Sequence, residues 1–247
     1  MSEIHIESCS GTHSIQDIGR RGARRIGFPR SGAMDLLALA TANVLVGNNA
    51  DCAAIELLLG GVTLKAIGGP VRVALAGAEF PLELDAKPVP SHQSFLVNSG
   101  QRLRIGPARR GVCGILAVEG GLDVPKVLGS ASLHPRSRTG GLFGRFLQAG
   151  DRIPVRGQAG VRDEFRLPTT ELELHRPIRI TLGPQAELFS LRAIERFRQA
   201  EFKVAQDCDR MAYRLSGPAI RPRRSDAMVS DGVFEGCIQM TAAGQPI

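Results

Sequence analysis

The stretch "VTLKAIGGPVRVALAG", residues 62–77, decides the fold. Two Val/Leu/Ile-rich runs, "VTLKAI" (62–67) and "VRVALAG" (71–77), partly alternate apolar and polar residues and are parted by Gly-Gly-Pro. The same texture continues outward through "LELDAKPV" (82–89), "SFLVNSGQRLRIG" (94–106) and "GVCGILAVEGG" (111–121). Short β-like runs broken about every ten residues by glycine and proline favour a sandwich or barrel over βαβ units.

Composition agrees. The 247 residues suffice for one large or two modest domains with real cores. With 43% hydrophobic and 22% charged residues, the chain is an ordinary globular sequence and not a disordered one. Gly 29, Pro 15 and only 4% aromatics imply many turns. Tryptophan is absent and Tyr213 is the single tyrosine, so stacking platforms for single-stranded nucleic acid are scarce.

The net charge of +7 is carried almost wholly by arginine, since Lys65, Lys87, Lys126 and Lys203 are the only lysines. It reads either as a solvated surface or as preparation for an anionic ligand or acidic partner, which arginine suits through bidentate geometry. No nucleic-acid motif accompanies it. Five scattered cysteines (9, 52, 113, 208 and 237), none spaced C-x-x-C, point to reduced thiols and a cytoplasmic setting. The opening "MSEIHIESCSGTHS" lacks the apolar centre of a signal peptide, and no apolar run reaches membrane-span length.

Two segments carry helical spacing. Over 31–47, Ser31 is the expected N-cap, Asp35 lies in the first turn and Gly47 is the stop, with Met34, Leu37, Val44 and Leu45 on the core side and Ala38 and Ala42 between them. Over 185–204, Leu188, Leu191, Ile194 and Phe197 form the second stripe. A polar, irregular break at 156–177 separates domains expected at 1–158 and 172–247. Past it, "PIRITLGPQAELF" (177–189) echoes "PVRVALAGAEF" (70–80), a weak sign of duplication.

Most familiar chemistry is missing from the text. His5, His13, His92, His134 and His175 stand alone, without metal-ligand spacing, so no metal is expected. There is no P-loop, "TGGLFG" (139–144) lacks dinucleotide spacing, and no G-x-S-x-G elbow occurs. Cys52 and Cys113 lie in small apolar contexts and read as packed thiols. What remains are polar clusters bracketed by glycine. In 11–35, Gln16 and Asp17 precede Arg20, Arg21, Arg24, Arg25 and Arg30, either as a solvated loop ordered by Asp17 or as an anion-binding lip before the helix. In "AAIELLLGG" (53–61), Glu56 interrupts an apolar run and either turns outward, pairs with an arginine or serves a site. "DCDRMAYRLSGP" (207–218) and "SDGVFEGCIQM" (230–240) set Asp, Arg, Ser or Gln beside turn glycines, as binding loops do.

Taken in order, "QDIGRRGARRIGFPRSGAMD" (16–35), "NVLVGN" (43–48), "IELLLGG" (55–61), "LAVEGGLDVPKVLGSAS" (116–132), "GGLFGRFLQAGDRIPV" (140–155), "DCDRMAYRLSGP", "SDGVFEGCIQM" and "AGQPI" (243–247) resemble the biotin-dependent carboxyltransferase family. That family includes proteins called allophanate hydrolase subunit 2 and the C-type subunit of 5-oxoprolinase. The resemblance spans essentially the whole chain. It implies a mainly β fold with a few helices, arranged as tandem cyclophilin-like β-barrels. The family pattern continues past "GQPI", whereas this sequence stops at Ile247, so the second barrel is expected to be incomplete and to leave an unpaired edge. Thr241 replaces a usual proline, with only a local change expected.

The resemblance further implies an obligate complex with a homologous partner of the same family, the B-type subunit of 5-oxoprolinase, and with a LamB/YcsF-type subunit. That complex is an ATP-dependent 5-oxoprolinase opening 5-oxoproline to glutamate. ATP would be used by the complex. A carboxyltransferase component of a urea carboxylase is the alternative, with biotin on another chain; a non-enzymatic regulatory partner of a kinase-inhibitor protein is a third. Neither nucleic acid nor membrane is an expected partner. At matching motif positions, Asp35, Glu56, Asp209 and Asp231 are candidate proton handlers, chosen for carboxylate chemistry. Gln16, Asp17, Arg20, Ser31, Gly32, Ala33, Arg210 and Gln239 are candidate holders of an anion or carbonyl.

Overall fold

The computed structural model describes residues 2–157, 159–160, 163–167, 177–223 and 232–247. The chain forms two compact units, Met1–Glu171 and Leu172–Ile247.

In chain order the first unit contains β1 (Glu3–Cys9), β2 (Ser14–Gln16), a 3-10 turn (Ala23–Ile26), helix α1 (Leu36–Leu45), β3 (Ala54–Leu58), β4 (Val62–Ile67), β5 (Val71–Glu79), β6 (Leu82–Leu84), β7 (Lys87–Val89), β8 (Ser94–Val97), β9 (Arg102–Ile105), β10 (Arg110–Val118) and β11 (Arg152–Pro154). They make a six-stranded sheet, ordered β11-β1-β4-β9-β6-β7, and a five-stranded sheet, ordered β2-β3-β10-β5-β8. The architecture is mainly β, as the alternating runs predict, and among the described residues neither sheet closes on itself. "LELDAKPV" divides into the β6–β7 hairpin, while "SFLVNSGQRLRIG" divides between the two sheets.

Alternation explains the layering. Ile55 and Leu57 of β3, Val71, Val73 and Leu75 of β5, and Leu116 and Val118 of β10 point into one aliphatic core, shared with Ile4, Ile6, Leu64, Leu103 and Ile105 of the six-stranded sheet. The opposite face of the five-stranded sheet is lined by small residues, Ala54, Ala74, Ala76 and Ala117, with Ile115, and α1 lies across it. Such a face lets a helix approach closely where the helix itself presents small residues. Accordingly α1 buries Ala38, Leu39, Ala42, Asn43 and Leu45, and leaves Leu37 and Val44 in solvent at 67% and 59% exposure. Of the apolar side expected from spacing, Ala38, Ala42 and Leu45 are buried, while Leu37 and Val44 are not; close packing against the alanine face turns the helix by its small residues, with Leu39 and Leu45 buried beside them.

The helix start also differs from expectation. Ser31 has φ 55 and Gly32 φ 102, both left-handed, so neither belongs to the helix. The Ala33 N–H donates to the Asp17 carbonyl (2.8 Å) and the Arg20 N–H to the Arg30 carbonyl (2.7 Å), which holds 30–33 against 17–20. The cap falls to Asp35, whose Oδ1 accepts the Ala38 N–H at 2.8 Å. Gly47, with φ 69, ends the helix as expected.

The second unit holds a 3-10 turn (Ala186–Leu188), helix α2 (Leu191–Gln199) and the antiparallel pair β12 (Lys203–Val204) and β13 (Leu215–Ser216). Ser190 caps α2 through the Ala193 N–H. Leu191 is 82% exposed, so the second stripe is only partly core-facing; Ile194 and Phe197 are half-buried. Residues 177–183 form no strand, so the echo of 70–80 does not extend to structure.

Close packing of α1 makes Gly77 of β5 a sensitive point. A Cβ there would stand 2.7 Å from the Cys113 carbonyl oxygen and 3.1 Å from Ala38 Cβ, and φ is 103. Gly77→Ala should lower the unfolding free energy by about 2 kcal/mol, read as a shift in the urea midpoint at unchanged m.

Candidate functional site

The helix-facing side of the five-stranded sheet is not wholly apolar. Glu56 is on the same face as Ala54 and is directly opposite Ser14 of β2 in the antiparallel register, with Gln16 two residues on. All three are fully buried. Glu56 Oε2 accepts the Met34 N–H at 2.7 Å, which ties the sheet to the approach of α1. Gln16 Nε2 donates to Ser14 Oγ (2.9 Å) and to the Leu133 carbonyl (3.3 Å). A polar strip thus runs to the sheet edge, where two loops cover it.

The first loop, 17–35, is organised by Asp17. Its carboxylate accepts four donors: Ser130 Oγ and Ser132 Oγ at 2.6 Å each, the Ala131 N–H at 2.7 Å and the Gly19 N–H at 2.8 Å. Burial pushes the Asp17 pKa up, but these bonds together outweigh it and hold the carboxyl below its ordinary value. Gly19 is required by closeness, since a Cβ there would lie 2.7 Å from the Arg30 carbonyl oxygen.

Arg20, 1% exposed, reaches across to the second loop, 127–139, and donates from Nε to the Val127 carbonyl (3.1 Å) and from Nη2 to the Ser132 carbonyl (2.6 Å). Its guanidinium carbon stands 5.2 Å from the centre of the Phe28 ring, and Phe28 meets the His134 ring edge-on at 5.5 Å. Burial lowers the Arg20 pKa, with the Asp17 charge opposing. His134 Nδ1 is 2.7 Å from Ser137 Oγ, which in turn donates to Thr139 Oγ1 at 3.0 Å. Burial first, then the charges of Arg20 and Arg136, push the His134 pKa down, which keeps the imidazole neutral at pH 7. Gln16 Oε1, Arg20 Nη1 and Ser31 Oγ are buried with no hydrogen-bond partner among the described residues. Three such atoms around one loop crossing suit ordered water or a polar ligand group.

The structure therefore gathers Gln16, Asp17, Arg20, Ser31, Gly32, Ala33, Asp35 and Glu56 around one loop crossing of the first unit. Gly32 and Ala33 act through the backbone, and Asp35 as the helix cap. The remaining expected site residues belong to the second unit. Asp209 is exposed and closes its own turn by accepting the Met211 (2.7 Å) and Ala212 (3.2 Å) N–H groups. Arg210 is half-buried, and Gln239 is exposed with its backbone paired to Ile247. Asp231 lies outside the described residues. Sequence reasoning missed Phe28, Ser130, Ser132 and His134. "LGSASLHP" (128–135) overlaps the family-like segment 116–132 but carries no local sign of a site, and its partners lie over a hundred residues upstream. Among the described residues, no group of three His, Cys, Asp or Glu is placed to hold a metal, and no helix is long and apolar enough to cross a membrane.

A mainly β unit with a buried carboxylate and arginine beneath paired loops defines the class to compare. The family model described as "Carboxyltransferase domain, subdomain A and B" matches residues 26–247, and the chain belongs to that family. It is 35% identical over 244 residues to the C-type subunit of 5-oxoprolinase from Haemophilus influenzae, covering 99% of this chain and 78% of that one. It is 34% identical to urea amidolyase of Saccharomyces cerevisiae over 87% of this chain and 12% of the much longer relative. The crystal structure of TTHA0988 superposes with a TM-score of 0.87 at 32% identity, over 100% of this chain and 48% of its own.

The Asp17 network carries a sign-definite pH dependence. Its folded-state pKa lies below the unfolded value of about 3.9, so the stabilisation is complete above that value and is lost as pH falls through the folded pKa. Asp17→Asn should cost about 2 kcal/mol at pH 7. Urea unfolding at pH 7 and pH 3 should show a smaller difference for the variant than for the parent.

Proposed function

We propose that this chain is the C-type subunit of an ATP-dependent 5-oxoprolinase that opens 5-oxoproline to glutamate. The observation that carries the reading is the 35% identity to the Haemophilus influenzae C-type subunit across 99% of the chain. The first unit's chemistry is compatible with it. 5-Oxoproline is a small anion with a lactam carbonyl, and ring opening needs a positive environment, a carbonyl partner and proton transfer.

In this reading Arg20 supplies the positive potential beneath Phe28 and His134. The neutral His134, oriented by Ser137, is the proton acceptor at the loop mouth. Glu56 fixes the Met34 amide, and Asp35 the first turn of α1, so that the Ser31–Ala33 turn keeps its shape. ATP is a co-substrate of the assembly, and these residues of the first unit are assigned to 5-oxoproline. The partners are a homologous B-type subunit and a LamB/YcsF-type subunit. The five cysteines, none of them joined in a disulfide, fit a reducing cytoplasm.

A second reading, a carboxyltransferase component acting on urea, is favoured by the match to urea amidolyase. It requires biotin on another chain, and a biotinylated polypeptide in the purified assembly would select it.

The test is reconstitution with the partner subunits, ATP and 5-oxoproline, following glutamate. Omitting this chain should abolish turnover. His134→Ala should lower kcat about 100-fold while leaving the circular dichroism melt within a few degrees of the parent. Turnover without the chain, or undiminished in His134→Ala, contradicts the assignment.

A further inference from the structure

The second unit carries a feature that the reading of the first unit does not use. An open cleft of about 450 Å³ is lined by Ser190, Arg192, Ala193, Arg196, Ala219 and Arg221. Arg192 and Arg196 are one turn apart on α2, so they share a face. Arg221 comes from a segment anchored on both sides: the Ile220 N–H donates to the Gly244 carbonyl (2.8 Å) and the Arg223 N–H to the Leu188 carbonyl (2.7 Å).

The arrangement runs against local electrostatics. Arg192 occupies the first turn of α2, where the helix dipole disfavours a cation, and that turn contains no acidic residue. Like charges at i and i+4 repel. The helix's one carboxylate, Glu195, is engaged elsewhere, by Arg198 at 3.3 Å and by Gln199 Nε2 at 2.6 Å. Among the described residues, none of the three cleft arginines has an ion-pair partner, whereas Arg214 of the same unit pairs with Asp207 at 3.2 Å. The rest of the lining is small, which leaves the cleft open to a ligand.

We propose that this cleft binds a polyphosphate group. Three guanidinium forks can each take two oxygens in parallel. A single carboxylate satisfies one fork, while a chain of phosphates presents enough oxygens for all three within the volume available. Ser190 stands at the same end of the helix, its hydroxyl capping the Ala193 N–H, and with no acidic residue in that turn the positive end of the helix dipole adds to the field of the arginines.

The experiment is isothermal titration of the full chain with inorganic tripolyphosphate, with inorganic phosphate and with ATP, at two salt concentrations. Tripolyphosphate should bind one to one, at least about tenfold tighter than phosphate, and weaken with salt. Arg196→Ala should weaken tripolyphosphate binding by about tenfold or more. Arg196→Lys, which keeps the charge and the helix, should weaken it severalfold because the fork is lost. Arg198→Ala, which touches a paired arginine outside the cleft, should leave it unchanged. ATP binding tighter than tripolyphosphate would identify a nucleotide as the source, and equal binding a free polyphosphate. No saturable binding of tripolyphosphate, or equal losses in Arg196→Ala and Arg198→Ala, overturns the proposal.

Discussion

The first unit's functional face depends on one buried carboxylate. Taking Asp17 out of water forfeits several kcal/mol of hydration. Four short charge-assisted hydrogen bonds, each worth about 1.5–3 kcal/mol, together outweigh that loss. Completing them requires Ser130, Ala131 and Ser132 to stand beside Gly19, which joins two loops far apart in sequence. The Asp17 carbonyl then receives the Ala33 N–H, and the Met34 N–H reaches Glu56, so the approach to α1 is fixed from the same centre. Arg20 follows the turn and stitches the second loop from the other side.

The sheet beneath sets where this can happen. Strand alternation sends the aliphatic residues of β3, β5 and β10 inward and leaves an outer face of alanines broken by Ser14, Gln16 and Glu56. The alanines admit α1 at close range. The polar strip lies toward the edge strand β2, where the loops, not the helix, supply its partners. One register shift in β2 would move Ser14 and Gln16 into the aliphatic core.

These physical facts explain what could be read in advance. Strands 62–67 and 71–77 were legible because alternation and Gly-Gly-Pro are local signals. Glu56 and the Gln16–Asp35 loop stood out because polar residues between glycines in an apolar context are local too. The helix start was not legible, since Ser31 has the right chemistry for a cap, and only the contacts of 30–33 with 17–20 force it left-handed. On α1, Ala38, Ala42 and Leu45 were legible as buried, but Leu37 and Val44 were misplaced because the face of a helix answers to the volume of residues on the strands beneath it. His134, Ser130 and Ser132 were invisible as site residues because their significance comes wholly from partners brought by the fold. The arginine cleft of the second unit appears in the sequence only as excess charge; its convergence on one volume is tertiary.

The most direct measurement is amide hydrogen exchange on the parent and on Asp17→Asn under native conditions. If one carboxylate holds both loops and the helix approach, protection at Gly19, Ala33, Met34 and Ala131 falls together in the variant, while amides of β5 and β10 keep theirs. Loss confined to Gly19 and Ala131, with Ala33 and Met34 as protected as in the parent, would contradict the account.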